Sequence, residues 1–132
     1  MKKILVGFDG SEGSERALNR AINLIDESGE LILLAVIQDS EKLSVVDVNA
    51  YKTLRKRAEN LLNDTIEDLG KQSFEIKSLI EEGDAAAKII DIANKLGVDL
   101  IVLGSKGESE IAQYTIGSVA TVSYTHLTLP TN

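Results

Sequence analysis

Val98-Asp99-Leu100-Ile101-Val102-Leu103-Gly104-Ser105-Lys106-Gly107 is the stretch on which the reading of this chain turns, followed nine residues later by Gly117-Ser118-Val119. Leu100 to Leu103 is short, uncharged and bounded by glycine, as expected for a strand buried on both faces of a parallel sheet. Gly104 and Gly107 fall where such a strand opens into a loop at its carboxyl end, the place where open α/β sheets bind ligands. Glycines there let the backbone approach a ligand with no Cβ in the way. Gly117-Ser118 reads as a helix start, with Ser118 placed to cap it or to bond an anion. Free N–H groups and the helix dipole would favour phosphate at that point.

Working outward, the rest of the chain supplies a matching frame. Ile4, Leu5 and Val6 form a buried run within Lys3–Phe8, ending in Gly7, Asp9-Gly10-Ser11 and a helix N-terminus. Ala17, Leu18, Ala21, Ile22 and Ile25 share one helical face, with Gly29 placed as its stop. Leu31–Ile37 is seven apolar residues in a row, a second buried strand. Gln38 to Asn49 is polar and reads as a loop. Leu54, Ala58, Leu61, Leu62, Thr65 and Leu69 make a second helical stripe ending at Gly70.

Phe74 to Ile80 reads as a third strand. Its Glu75, Lys77 and Ser78 mark it as a sheet edge, since a central strand would be apolar throughout. Asp84 is positioned to cap a third helix with the face Ala86, Ile89, Ile90, Ala93 and Leu96, stopped by Gly97. Strand and helix thus alternate up to Gly104. The pattern predicts an open parallel sheet with helices on both faces, a Rossmann-like α/β fold. Right-handed crossovers and the edge character of the third strand give the order 3-2-1-4. Winding direction reverses between the first and fourth strands, so a crevice is expected there, with Asp9 on one side and Gly104 on the other.

The spacing Gly104-x2-Gly107-x9-Gly117-Ser118 resembles the nucleotide-binding motif of the universal stress proteins, in their ATP-binding branch. The resemblance implies the adenine nucleotide α-hydrolase-like variant of the fold, ATP with Mg2+ as ligand and a homodimer. It implies a stress-response sensor or signalling module, with at most slow ATP hydrolysis or autophosphorylation. It puts Gly7 and Asp9 beside the adenosine and the Val36 backbone at the adenine edge. Leu103, Gly104, Lys106, Gly107, Gly117, Ser118 and Val119 complete the implied site. Each residue also has a plainer reading. Asp9 before Gly-Ser is a common turn or cap, Val36 and Leu103 are core residues by default, and Lys106 is a solvated surface lysine. The glycines alone are also compatible with turn chemistry.

Other motifs are excluded. No Gly-Lys-[Ser/Thr] follows a strand, and the first βα turn lacks G-x-G-x-x-G, so neither a P-loop nor a dinucleotide fingerprint is present. Phosphoacceptor receiver domains need two acids after the first strand, where this chain has Asp9 alone. Adenylating enzymes of similar architecture carry Ser-Gly-Gly-x-Asp-Ser after that strand, which Gly7-Phe8-Asp9-Gly10-Ser11 does not match. Two alternatives stay open: a non-nucleotide-binding interaction protein of the same fold, against which the three glycines argue, and, further off, a slow ATPase or adenylating enzyme. His126, the only histidine, has no partner at metal-ligand spacing.

Composition agrees. The chain has 132 residues, enough for one domain with a real core, and a net charge of −7 that argues against nucleic acid as a partner. It has no cysteine, hence no disulfide framework, and no apolar run near the ~20 residues that span a bilayer. The Met-Lys-Lys start runs at once into a strand-like run and Asp9, unlike a signal peptide, so a cytoplasmic address is expected.

The end of the chain departs from the family pattern. Only 14 residues follow Ser118, too few for a crossover helix and a fifth strand, and Ile111 to Asn132 carries no Asp, Glu, Lys or Arg. The family's domain is therefore expected over residues 1–121, with 122–132 as an atypical tail. The fifth strand, and any dimer built through it, is expected to be missing or altered. Leu100–Leu103 would then be an open edge, along which either the tail itself pairs or another chain does.

Overall fold

The computed structural model of the chain describes residues 1–38, 48–104 and 120–123. Its elements are β1 (Lys3–Gly7), α1 (Glu12–Leu24), β2 (Glu30–Gln38), α2 (Val48–Leu69), β3 (Glu75–Gly83), α3 (Ala85–Leu96), β4 (Leu100–Leu103) and β5 (Ala120–Ser123). The sheet runs β3-β2-β1-β4-β5, and every pairing is parallel. The expected order 3-2-1-4 is thus found, with the reversal between β1 and β4. There Ile4, Leu5 and Val6 pair with Leu100, Ile101 and Val102.

Period-two alternation splits the apolar strands between two cores. On one face, Ile4, Val6 and Phe8, Leu31, Leu33 and Ala35, and Leu100 and Val102 pack with Ala17, Leu18 and Ala21 of α1 and Leu62 of α2. On the other, Leu5, Ile32, Leu34, Ile101 and Leu103 pack with Ala86, Ile89, Ile90, Ile92 and Ala93 of α3. Burying one such leucine or isoleucine side chain fully contributes about 2 kcal/mol. This is why β1, β2 and β4 admit no charged residue in their central positions. β3 lies at the edge as expected. Its Ile76 and Ile80, with Phe74 just before the strand rather than its first residue as expected, join the α1/α2 core, while Glu75 and Lys77 are exposed.

Helix ends follow local chemistry. Asp84 Oδ2 accepts the Ala87 N–H at 2.9 Å, capping α3, and Gly97 closes that helix in the left-handed region at φ 65°. Gly70, at φ 68°, does the same beyond α2.

Three expectations about element bounds are corrected. Gly29 does not stop α1, which ends at Leu24 with Ile25 as its C-cap. Gly29 is instead packed so closely that a Cβ would lie 2.8 Å from Ile25 Cγ1 and 2.9 Å from the Lys2 carbonyl oxygen. The polar stretch Gln38–Asn49 is not all loop: Gln38 belongs to β2 and Val48 opens α2, while 39–47 lie outside the described residues. β3 runs on past Ile80 to Gly83, because Glu81, Glu82 and Gly83 stay in register with Val36, Ile37 and Gln38.

The fifth strand is present. Ala120–Ser123 pairs with Leu100–Leu103, so the open edge of the apolar strand is covered from within the chain. An edge of unpaired N–H and C=O groups is a template for any nearby extended segment. The strand begins at Ala120, and Gly117-Ser118, where a helix start is expected, lie outside the described residues.

Candidate functional site

The site is built from the carboxyl end of β1. The Phe8 N–H still donates to the Leu34 carbonyl at 2.9 Å, and the chain then turns at Asp9-Gly10-Ser11 into α1. The Ser11 N–H donates to Asp9 Oδ1 at 2.9 Å, an Asx-type turn that fixes the carboxylate. Partial burial pushes the Asp9 carboxyl upward, but hydrogen bonds from Ser11 and Ser14 outweigh it, and the carboxyl lies below the ordinary aspartate range. Ser11 caps α1, its Oγ accepting the Ser14 N–H at 3.2 Å, while buried Ser14 donates its hydroxyl to the Ser11 carbonyl at 2.9 Å. Asp9 therefore fills the turn role while keeping an exposed side chain. Gly10 takes φ 84° under the side chain of Leu61 from α2, which a Cβ would meet at 3.2 Å.

Across the reversal point stands the end of β4. Gly7 of β1 faces Leu103: a Cβ on Gly7 would lie 3.1 Å from Leu103 Cδ2 and 3.5 Å from Ile89 Cδ1. Leu103 itself is buried in the α3 core, so its side chain serves packing. Val36, two positions past Leu34 on β2, is half-buried against the same core and pairs with Glu81 of β3.

Gly104 meets α1 backbone to backbone. A Cβ on Gly104 would lie 2.6 Å from the Gly13 carbonyl carbon and 2.7 Å from the Ser14 nitrogen. Reciprocally, a Cβ on Gly13 would lie 3.2 Å from the Gly104 oxygen. The first turn of α1 thus touches Gly104 on one side and holds Asp9 on the other. Of the residues singled out from the sequence, Gly7, Asp9, Val36, Leu103 and Gly104 gather at the carboxyl end of β1, β2 and β4. Lys106, Gly107, Gly117, Ser118 and Val119 lie outside the described residues, as does His126.

Sequence reasoning missed Gly13 and Ser14. A signal for Gly13 exists, since a glycine in the first turn of a helix weakens that helix and asks for a packing reason. The acids beyond Ile80 are engaged separately. Glu81 stands 4.0 Å from Lys88, and the Tyr51 hydroxyl at the start of α2 donates to Glu82. That bond, with partial desolvation, raises the Tyr51 phenol above its ordinary range. Among the described residues, no three or more His, Asp or Glu side chains are grouped to hold a metal ion. No helix of those residues is long and apolar enough to cross a membrane.

The universal stress protein family model matches residues 1–130. Universal stress protein YxiE of Bacillus subtilis is 30% identical over 130 residues, covering 89% of this chain and 88% of that protein. Universal stress protein MJ0577 of Methanocaldococcus jannaschii is 30% identical over 138 residues, covering 89% and 85%. The solved MJ0577 structure superimposes with a TM-score of 0.79 at 27% identity over 96% of this chain and 98% of that one. An Arabidopsis thaliana protein of the same family, solved with AMP bound, shares the fold with a TM-score of 0.67 at 15% identity, covering 94% and 92%. On the family match, the shared topology and these relatives, the chain belongs to the universal stress protein family.

Proposed function

We propose that this chain binds ATP, with Mg2+ accompanying the phosphates, in the crevice between β1 and β4. On this reading it acts in the cytoplasm as a nucleotide-dependent sensor or signalling module of the stress response. The observation that carries the reading is the meeting of the Asp9 turn with Gly104 at the reversal of the sheet, where open α/β sheets take their ligands. AMP in the Arabidopsis relative supports an adenine nucleotide as the class of ligand.

The described residues fit the nucleoside end of that ligand. Val36 offers a partly exposed apolar surface suited to a purine face, and its backbone lies at the end of β2. Asp9, in the turn just beyond β1, stays ionised and exposed, an acceptor for a ribose hydroxyl or a base N–H. Gly7 lies at the end of β1, and Leu103 and Gly104 stand across the reversal at the end of β4. The phosphates are assigned to the backbone N–H groups of Gly107 and Gly117-Ser118, with Val119 alongside and Lys106 as a point charge. Mg2+ enters with the phosphates. Bound ATP supplies a transferable phosphoryl group, and this chain's residues orient it.

ATP turnover is expected to stay far below the ~10 s⁻¹ typical of enzymes. The assembly expected is a homodimer, with the residues from about Ser123 onward departing from the family sequence. Calorimetry with Mg-ATP tests the central claim. Wild type is expected to bind and Gly117→Val to lose most of its affinity, because a branched side chain stands where the phosphates approach. Equal binding by the variant defeats the phosphate assignment, and a turnover near the enzymatic range defeats the sensor reading.

A further inference from the structure

We propose that Gly13, a residue outside the nucleotide motif, is a positioning residue that sets the place of Gly104 at the end of β4 and thereby tunes nucleotide affinity. The proposal rests on the nucleotide reading above and goes beyond it, since Gly13 is not assigned to the ligand.

Gly13 is the second residue of α1, inside its first turn. Its φ lies outside the left-handed region, so its conformation does not call for glycine. Nearly every other residue type would be a better helix former there. What calls for glycine is proximity: a Cβ would stand 3.2 Å from the oxygen, 3.3 Å from the carbonyl carbon and 3.4 Å from the Cα of Gly104. All three are backbone atoms, which cannot rotate aside as the end of a side chain can. Any bulk at position 13 is therefore transmitted to Gly104 as a displacement of a few tenths of an ångström or more. From the opposite side the contact is tighter still, at 2.6 Å and 2.7 Å to Gly13 and Ser14.

The same helical turn is tied to the other wall of the crevice. Ser11 caps it and binds Asp9, and Ser14 packs beneath it. Asp9, the first turn of α1 and Gly104 therefore form one mechanical unit across the β1/β4 reversal. Glycine on both sides of the contact lets the unit close to backbone distance. A third glycine serves helix–strand packing in the same way in dinucleotide-binding folds.

The test compares Gly13→Ala and Gly13→Val with wild type and with Glu15→Ala, an exposed change in the same turn. Three readouts are taken: Mg-ATP affinity by calorimetry, thermal melting without nucleotide, and the backbone amide shift of Gly104 without nucleotide. Gly13→Ala restores helix propensity, so a folded protein is expected with a melting temperature near that of wild type. Its Gly104 amide should shift, and ATP should bind about fivefold or more weakly, with Gly13→Val weaker again. Glu15→Ala should move neither. A purely structural role would change melting while leaving affinity and the Gly104 amide in place, which overturns the proposal. Wild-type binding with unchanged affinity in both glycine variants overturns it as well. A flat titration for wild type defeats the nucleotide reading and this proposal together, and is recognised because the reference protein itself fails.

Discussion

At the amino end of the sheet, Asp99 Oδ2 accepts the N–H groups of Lys2 at 3.0 Å and Lys3 at 3.1 Å. The N-terminal ammonium pairs with Asp26 at 2.9 Å, and Glu30 stands between Lys77 at 3.1 Å and Lys3 at 3.9 Å. The Glu30 carboxylate raises the Lys77 ammonium above its ordinary range. Backbone bonds from Asp26, Glu30 and Asp99 to Met1, Lys2 and Lys3 tie down the same edge. At the carboxyl end the chain uses different means. Asp9 is held by a local turn, Asp84 caps a helix, and the strands run out into Gly7, Gly83 and Gly104. One end satisfies itself with charge. The other keeps side-chain bulk away from the reversal point, where Gly7 and Gly104 stand.

The contrast is open to attack at Gly104, where the largest effect is expected. A methyl group there would overlap the Gly13 carbonyl carbon at 2.6 Å and the Ser14 nitrogen at 2.7 Å. Gly104→Ala should cost about 3 kcal/mol, the upper end for overpacking, because neither neighbour can move without shifting α1 from the sheet. Urea unfolding without nucleotide measures that loss, and calorimetry should show ATP affinity falling with it. Wild-type stability in this variant would mean that glycine is not dictated there by packing.

That contact also marks where sequence reading stops. The strands β1, β2 and β4 were legible because a run buried on both faces must be apolar throughout. β3 was legible as an edge because Glu75 and Lys77 need water. Asp84, Gly70 and Gly97 were legible because caps are local chemistry. Gly29 and Gly13 were misread or missed, since the contacts with the Lys2 carbonyl and with Gly104 lie in no local window. The third strand was expected to stop at Ile80, yet Glu81 and Glu82 continue it, because backbone pairing at an edge tolerates charge when Lys88 and Tyr51 stand by. β5 was hidden for a related reason: its four residues are called into a strand by the open edge of β4. In the candidate site, Asp9 and Gly104 could be placed from topology, whereas the α1 turn joining them could not.

A middle-sized effect sharpens the other side of the comparison. Asp99→Ala removes the acceptor of two backbone N–H groups at the solvent-exposed amino edge. Water replaces it in part, so a loss of about 1 kcal/mol is expected. ATP affinity should stay within twofold of wild type, because the change lies at the opposite end of every strand. Equal loss of stability and affinity would show that the two ends are coupled through the sheet.

The smallest effect concerns the Asp9 turn and depends on pH. The folded-state pKa of Asp9 lies below its ordinary value, because hydrogen bonds from Ser11 and Ser14 to the carboxylate outweigh the opposing effect of partial burial. A carboxyl with a depressed folded pKa contributes stability that is fully present above the unfolded value, about 3.9, and is lost as pH falls through the folded value. Since the side chain is exposed and screened by solvent, the contribution is small. Asp9→Asn keeps an oxygen able to accept the Ser11 N–H but removes the charge, so the turn should survive without this pH dependence. Urea unfolding of both proteins at pH 6 and pH 3 isolates the term, since every other carboxylate is common to the pair. The stability gap in favour of wild type should be present at pH 6 and narrow at pH 3. A gap that stays constant or widens on acidification would mean that the folded protein does not favour the Asp9 carboxylate over its protonated form.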